Sequence, residues 1–441
     1  MNYIYGLNKS GISIAKLLIK NKLNFCFWDD NKKVRINVKK IFKNIDFVKP
    51  KIENLIQYKN IYLTPAISIY KKKFENLRKK KLIKRDLNLY YENISKQKII
   101  AITGTNGKST TTKLIGDILK KNNFKTFVGG NIGKPLCDSF IYNQSYKYHV
   151  IELSSFQLEL IKNFHTTISI ILNLSADHMD RYKNMKDYIN QKKNIINNNY
   201  NGFNIISLDD KFSAKLSKSE KIKNKIIFSL NNSNADIYIK DNFIYDKYFF
   251  SNKKILIGKI AKDLKDNSNL QNIIVTYICC KILRIPLKIF QSGIRNFKGL
   301  PYRSKIIFES NKLIIINNSK ATNIESTVNN LKNLKNVYLI MGGKAKDENF
   351  KKLLRCTKNL NTVYIYGESA HLIYKQIYKK INSKIFNKLN NVINEIYKDI
   401  NRSDTKSVIL FAPGCTSFDQ YENFEERGLH FDKLIQKQFN I

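Results

Sequence analysis

The chain has 441 residues, 43% of them hydrophobic and 26% charged, which points to about three folded domains and excludes a disordered or fibrous chain. No apolar run approaches the ~20 residues of a bilayer span, and the first residues lack the basic n-region and small-residue cleavage site of a secretory signal, so no membrane span and a cytoplasmic location are expected. The formal charge of +43 is spread among Asn and Ile without interleaved RNP-like aromatics, so it reads as genome base bias; no nucleic-acid partner is expected, although the field should attract anionic substrates.

Residues 1–96 read as a small α/β unit. Tyr3-Ile4-Tyr5 is a short strand, GLNKSG (6–11) a turn, and an amphipathic helix runs to Lys20. A second strand, Asn24 to Trp28, ends in Asp29-Asp30, and IYLTPAI (61–67) repeats the strand-then-loop pattern. Acidic residues after the second strand suit a nucleotide-binding half-fold. Taken alone, GLNKSG is as compatible with a plain turn as with a ligand loop, because Asn8 stands where a second glycine is usual.

Residues 97–299 open on the most informative stretch, AITGTNGKSTTT (101–112). The buried-strand residues Ile99, Ile100 and Ile102 lead into Gly104, Thr105, Asn106, Gly107, Lys108, Ser109 and Thr110, and a helical pattern follows through Leu114, Ile115, Ile118 and Leu119. Strand, glycine turn and helix start form a phosphate cradle: backbone N–H groups close around oxygens and the helix N-terminus adds positive potential. Lys108 then reaches the β- and γ-phosphates of ATP, and the Ser109 hydroxyl ligates Mg²⁺. Residue 102 is Ile, so the loop has the shorter G-x-x-G-K-[ST] spacing. Further strands end at Glu152 (YHVIELSS, 148–155) and at Asp177-His178 (ISIILNLSADHMDRY, 168–182). Ligands bind at such C-terminal edges of parallel sheets, so Lys108, Ser109, Glu152 and His178 are expected to serve one site. Ser207 to about Lys262 looks strand-rich.

Residues 300–441 form a third α/β unit, with strands at Leu313–Ile316, Val337–Met341, Thr362–Tyr366 and Val408–Phe411. Cys26, Cys137, Cys279, Cys280, Cys356 and Cys415 show no paired C-x-x-C spacing. Buried, reduced thiols are therefore expected, and neither a zinc site nor a disulfide framework.

Together, GTNGKST (104–110), GNIG (130–133), IELSSFQLE (151–159), LNLSADHMDRY (172–182), NLQN (269–272), GLPYR (299–303), INNSKATN (316–323), MGGKAKDENF (341–350) and APGCTSFDQYENFEERG (412–428) run in the order found in the Mur ligases, the ATP-dependent amide-bond formers of peptidoglycan synthesis. The chain resembles that family over its whole length, and SKATN with the CTSFDQYENFEERG block resembles its D-glutamate-adding branch. The resemblance implies three domains: an N-terminal Rossmann-like UDP-binding domain, a central P-loop ATP-binding domain with a parallel sheet, and a C-terminal Rossmann-like α/β domain that receives the amino acid. It implies UDP-N-acetylmuramoyl-L-alanine and D-glutamate as substrates and a monomeric enzyme.

The resemblance assigns Lys108 to the ATP phosphates, Ser109 and Glu152 to one Mg²⁺, and His178 to a second. Lys192 matches the lysine that the family carbamylates, so that it too faces metal. Lys193 is adjacent, and the bare sequence equally allows a solvated Lys-Lys pair. Similarity places adenosine at Asn269, Asn272 and Arg303, and D-glutamate at Lys320, Thr322, Lys346, Ser417 and Phe424. It places the UDP-sugar at Asn8, Lys9, Ser10, Asp29, Asp30, Thr64 and Asn131. Some positions depart from the family: Tyr302 replaces its usual His, Asn318 its usual Asp, and GLNKSG (6–11) and TPAI (64–67) deviate from its usual glycine patterns. Other Mur ligases, folylpolyglutamate synthase and a basic nucleic-acid-stimulated ATPase remain the competing readings.

Overall fold

A computed structural model describes all residues except 143, 180, 198–200, 265–268, 347–348 and 403–404. Asp180 of the DHMD motif, and Asp347 and Glu348 of the KDEN segment, thus lie outside the described residues.

Among the described residues, strands gather into three sheets. The first holds β1 (Asn2–Tyr5), β2 (Phe25–Trp28), β3 (Asn60–Leu63) and β4 (Ile83–Lys84), all parallel, in the order β2-β1-β3-β4. Side chains alternate across this sheet as a pleated strand requires. Ile4 joins the core beneath the helix Lys9–Lys20, while Tyr3 and Tyr5 pack on the opposite face with Ile61 and Leu63.

The second sheet has nine strands: β5 (Lys98–Thr103), β6 (Thr126–Gly130), β7 (Tyr148–Glu152), β8 (Ile168–Ile171), β9 (Phe203–Ser207), β10 (Lys225–Ser229), β11 (Ile237–Lys240), β12 (Phe243–Asp246) and β13 (Lys253–Leu256). Their order is β13-β12-β11-β10-β9-β8-β5-β7-β6. The sheet is parallel from β6 to β11, and β12 and β13 are antiparallel. The sheet is thus parallel in the main, as expected, and its edge turns antiparallel for a local reason. Asp241 and Asn242 both take positive φ, 49° and 61°, the two-residue hairpin geometry that Asp and Asn tolerate best.

The third sheet, β14 (Lys305–Glu309), β15 (Leu313–Asn317), β16 (Val337–Gly342), β17 (Leu360–Tyr366), β18 (Ser383–Phe386) and β19 (Ser407–Gly414), runs β14-β15-β19-β16-β17-β18. Only its first pair is antiparallel. The four strands expected here are present; β14 and β18, short and half-buried, carry too weak a pattern to be read from sequence.

The chain divides into two compact units. One comprises Met1–Leu174, Asn184–Gly258 and Gln271–Gly293, and carries the first two sheets; the other comprises Ser175–Lys183, Lys259–Leu270 and Ile294–Ile441, and carries the third. All six cysteines are free and buried, as expected. No described helix is long and apolar enough to cross a membrane.

A buried imidazole ties the pH response to this core. His149 on β7 is packed among Tyr90, Phe127, Phe140 and Tyr146, and its Nδ1 lies 2.9 Å from the Tyr90 hydroxyl. Desolvation holds its pKa down, at about 4. The folded state therefore keeps His149 neutral while the unfolded chain takes up a proton below pH ~6.5. Its contribution is complete above that pH and is lost as the pH falls toward 4, by up to about 3 kcal/mol. Urea midpoints measured from pH 7 to 4 should fall less steeply in His149→Phe than in the parent.

Candidate active site

The glycine loop after β5 is built as a cradle. Gly104 and Gly107 take φ of 154° and 82°. A Cβ on Gly107 would stand 2.6 Å from the Asn272 Oδ1, so only glycine lets the loop pass that close. Gly107 caps the helix Lys108–Lys121 with no side-chain hydrogen bond, so the first turn presents its backbone N–H groups at the loop. Asn173, just beyond β8, clamps the loop. Its carbonyl accepts from the Thr105 N–H (2.9 Å), its Oδ1 accepts from the Asn106 N–H (2.8 Å), and its Nδ2 donates to the Asn106 carbonyl (3.0 Å). The sequence gives Asn173 no distinguishing signal beyond its place at a strand end.

Lys108 Nζ donates to the Gly104 and Thr105 carbonyls, each at 2.8 Å, which arches the side chain back over the loop. Ser109 Oγ donates to Glu152 Oε2, and Asn131 Nδ2 donates to Glu152 Oε1 at 2.8 Å. Glu152 is 2% exposed. A hydroxyl beside a buried carboxylate at the foot of a phosphate loop is a hard-oxygen donor set that fits Mg²⁺. Thr110 follows, half-buried, in the first helical turn. Asn272 Oδ1 accepts from Thr111 Oγ1 at 2.9 Å, which ties that predicted adenosine residue to the helix behind the loop.

The helix Met185–Lys193 approaches the loop with Tyr188 and Lys192, four residues apart and so on one face. The Tyr188 hydroxyl is 3.2 Å from Thr105 Oγ1. Lys192, 2% exposed, donates to the Gly104 carbonyl (2.7 Å) and to Thr103 Oγ1 (3.2 Å), whereas Lys193 is exposed. Of the two adjacent lysines, 192 faces the phosphate loop.

At the C-terminal edge of the first sheet, the turn carrying Asn8, Lys9 and Ser10 meets Asp29, Asp30 and Thr64. Asp29 Oδ2 accepts from the Leu7 N–H at 2.7 Å, and Asp30 accepts from the Tyr5 hydroxyl (2.7 Å) and Trp28 Nε1 (3.0 Å). Burial pushes the Asp30 carboxyl up, but the Tyr5 and Trp28 hydrogen bonds and Lys73 outweigh it, and its pKa lies below the usual range. Arg35 lies 4.3 Å from the Trp28 ring centroid, and its Nη1 donates to the Asp29 carbonyl at 2.7 Å. Neither residue stood among the expected contacts. Their cation–π pair makes a planar, basic lip beside the two aspartates.

The second unit carries the remaining residues. His178 takes φ 59°, its N–H donates to Asp177 Oδ1 (3.0 Å), and Lys346 Nζ lies 3.8 Å from the same oxygen. Lys346 thus stands beside Asp177, a neighbour that the sequence did not suggest. Lys320 Nζ lies 4.0 Å from the Phe424 ring centroid, Ser417 is buried, and Thr322 is half-buried two residues beyond Lys320. Arg427, absent from the expected set, joins these loops. It is fully buried and donates from Nε to Ser319 Oγ (3.1 Å) and from Nη2 to the Ser319 (2.8 Å) and Cys415 (3.1 Å) carbonyls. Asn269 Nδ2 donates to the Asp263 carbonyl at 3.3 Å, and Arg303 is half-buried in the loop before β14. Asn318, the neutral departure, donates from Nδ2 to Ser304 Oγ at 3.1 Å, a contact that needs an amide donor or a turned hydroxyl.

Residues 102–280 match the family described as Mur ligase middle domain. The UDP-N-acetylmuramoylalanine--D-glutamate ligase of Rickettsia prowazekii is 34% identical over 445 residues, covering 99% of this chain and 98% of that one. The chain belongs to that ligase family. The corresponding ligase of Wolbachia from Brugia malayi is 30% identical over 488 residues, covering 98% and 95% of the two chains. Among solved structures, the UDP-N-acetylmuramate-alanine ligase of Thermotoga maritima has a TM-score of 0.59 at 16% identity, covering 99% of each chain. A pseudomurein peptide ligase type C from Methanothermus fervidus has a TM-score of 0.60 at 17% identity, also covering 99% of each. These two likenesses establish the multi-domain α/β fold. As a Mur ligase, the protein is an ATP-dependent, peptide-bond-forming enzyme that uses ATP with Mg²⁺.

Proposed function

We propose that this Mur ligase joins D-glutamate to UDP-N-acetylmuramoyl-L-alanine in peptidoglycan synthesis, through an acyl phosphate. The observation that carries the reading is the phosphate loop with Ser109 against buried Glu152, in a chain similar to D-glutamate ligases over nearly its full length. A carboxylate oxygen of the muramoyl-alanine attacks the γ-phosphorus and ADP leaves. The amine of D-glutamate then attacks the acyl carbon, loses a proton, and phosphate departs with the former C–O bond electrons.

The protein neutralises and positions charge for these steps. Lys108 and the first turn of its helix hold the β- and γ-phosphates, and Asn272, with Asn269 and Arg303, receives the adenosine. Ser109 and Glu152 would hold one Mg²⁺, with His178 and a carbamylated Lys192 serving a second. Bound there, the metal withdraws charge from the phosphate oxygens. Asn8, Lys9, Ser10, Asp29, Asp30 and Thr64 receive the UDP-sugar, and Asn131 faces its peptide arm. Lys346, Lys320, Thr322, Ser417 and Phe424 receive D-glutamate, whose two carboxylates need cations and hydroxyl donors. We take the three sheets as the cores of three domains, 1–96, 97–299 and 300–441, in a cytoplasmic monomer.

Phosphate release in the presence of UDP-N-acetylmuramoyl-L-alanine tests the reading. D-glutamate should elicit it, and L-glutamate, L-alanine, L-lysine and diaminopimelate should not. Lys346→Ala and Ser417→Ala should each raise the apparent KM for D-glutamate by about tenfold or more, the loss of one charged hydrogen bond, while the KM for the UDP-sugar stays within about twofold. Equal turnover with L-alanine or L-lysine would assign the chain to another branch, and stimulation by nucleic acid with a steep salt dependence would favour a basic ATPase.

A further inference from the structure

Arg85 and Glu159 form an ion pair of 2.5 Å with both side chains 0% exposed. Burying two charges is expensive, and apolar residues of similar size often fold as well or better, so such a pair is poor evidence for stability alone. The other partners of this guanidinium indicate what it is for. Nη1 donates to the Leu63 and Thr64 carbonyls, both at 2.8 Å, and Nη2 donates to the Ile67 carbonyl at 3.0 Å. One planar fork therefore grips three carbonyls of the loop that follows β3. The same loop is pressed onto the turn after β1. Thr64 N–H donates to the Tyr5 carbonyl at 3.0 Å, and a Cβ on Gly6 would fall 2.0 Å from Thr64 Oγ1. Any displacement of Thr64 must therefore be felt at the turn leading to Asn8, Lys9 and Ser10.

Glu159 lies at the far end of the segment that begins with Glu152 on β7. Two more contacts lock that segment to the neighbours of Arg85: Gln157 Nε2 donates to Asp86 Oδ2 at 3.0 Å, and Asn88 Nδ2 donates to the Leu160 carbonyl at 3.2 Å. Asn194, two residues past Lys192, donates from Nδ2 to the Leu158 carbonyl at 2.8 Å. The loop after β3, the segment after Glu152 and the end of the Lys192 helix thus meet around one buried ion pair, all within the first unit.

We propose that Arg85, held by Glu159, is a positioning residue for the nucleotide-sugar pocket, fixing the Thr64–Ile67 loop against the segment that carries Glu152. The proposal rests on the reading of Thr64 as a lining residue of that pocket. A lysine in its place offers a point charge with no planar fork and cannot reach the three carbonyls and the carboxylate together.

The test compares Arg85→Lys, Glu159→Gln and Thr64→Ala with the parent in full-length enzyme, reading KM for each substrate and Kd for UDP-N-acetylmuramoyl-L-alanine and for ATP by calorimetry below the melting temperature. Arg85→Lys and Glu159→Gln should raise the KM and Kd for the UDP-sugar by about tenfold, as loss of one or two buried hydrogen bonds does, with ATP and D-glutamate values within about twofold. The double variant Arg85→Met/Glu159→Leu, which removes both charges, should recover part of the melting temperature that the single variants lose but none of the UDP-sugar affinity. If UDP-sugar affinity returns together with stability, or if all three KM values rise alike, the pair is merely structural and the proposal is overturned. If Thr64→Ala weakens UDP-sugar binding while both ion-pair variants bind it as the parent does, the positioning role fails and the pocket stands. If Thr64→Ala binds UDP-sugar normally, the pocket reading itself is wrong.

Discussion

Lys108→Ala is expected to cut phosphate release by about 100- to 1,000-fold, the scale of losing one preorganised charge at a reacting phosphate. The ammonium is held over the loop by the Gly104 and Thr105 carbonyls, 2.8 Å from each. Both are acceptors on the cradle itself, so the cation is held at the loop that the proposed function assigns to the phosphates. The fold should survive the substitution. The side chain is half-buried at the first position of its helix, and the backbone role of residue 108, accepting from Thr112 Oγ1 at 2.9 Å, does not depend on the side chain. An unchanged thermal melt together with lost turnover is the expected pair of results. Near-parental phosphate release would remove Lys108 from the site.

The phosphate loop was legible because its chemistry is local. Two glycines that must take positive φ, a lysine and a serine sit within six residues, between a β-branched strand and a helix, and the fold puts each where that order implies. The strand ends at Glu152 and Asp29-Asp30 were legible for the same reason: a short buried-strand run stops and polar residues follow. Contacts between distant segments carried no such signal. Asn173 clamps the loop from 67 residues away in sequence, yet it is one Asn in a chain rich in Asn. Arg85 and Glu159, 74 residues apart, look like ordinary surface charges until the fold buries both. Arg427 on Ser319, 108 residues apart, was missed on the same ground. Helix phase is a third kind of information: which of two adjacent lysines turns inward depends on where the helix Met185–Lys193 lies on the sheet, and the sequence left that open.

Lys192→Ala is expected to lose most activity, by about 100-fold or more if a charge in the metal cluster goes with it. The amine reaches the loop from behind, through the Gly104 carbonyl and Thr103 Oγ1, and lies 4.9 Å from the Tyr188 ring centroid. If Mg²⁺ is held at this loop as proposed, it would repel a free ammonium there. A neutral amine that adds CO₂ and releases a proton becomes a carbamate, so a cation is replaced by an anion that metal attracts. The N–H that the carbamate keeps can still donate to the Gly104 carbonyl, so the modification does not require the helix to move. Alanine removes both the charge and its support, and a short carboxylic acid in the buffer should restore part of the rate by occupying the space left. Lys193→Ala should stay within about twofold, since its side chain leaves the helix about 100° away and is exposed. If Lys193→Ala is the damaged and acid-rescued variant, the helix is read one residue out of phase. If Lys192→Ala is inactive and no acid rescues it, the lysine acts by position alone and carries no carbamate.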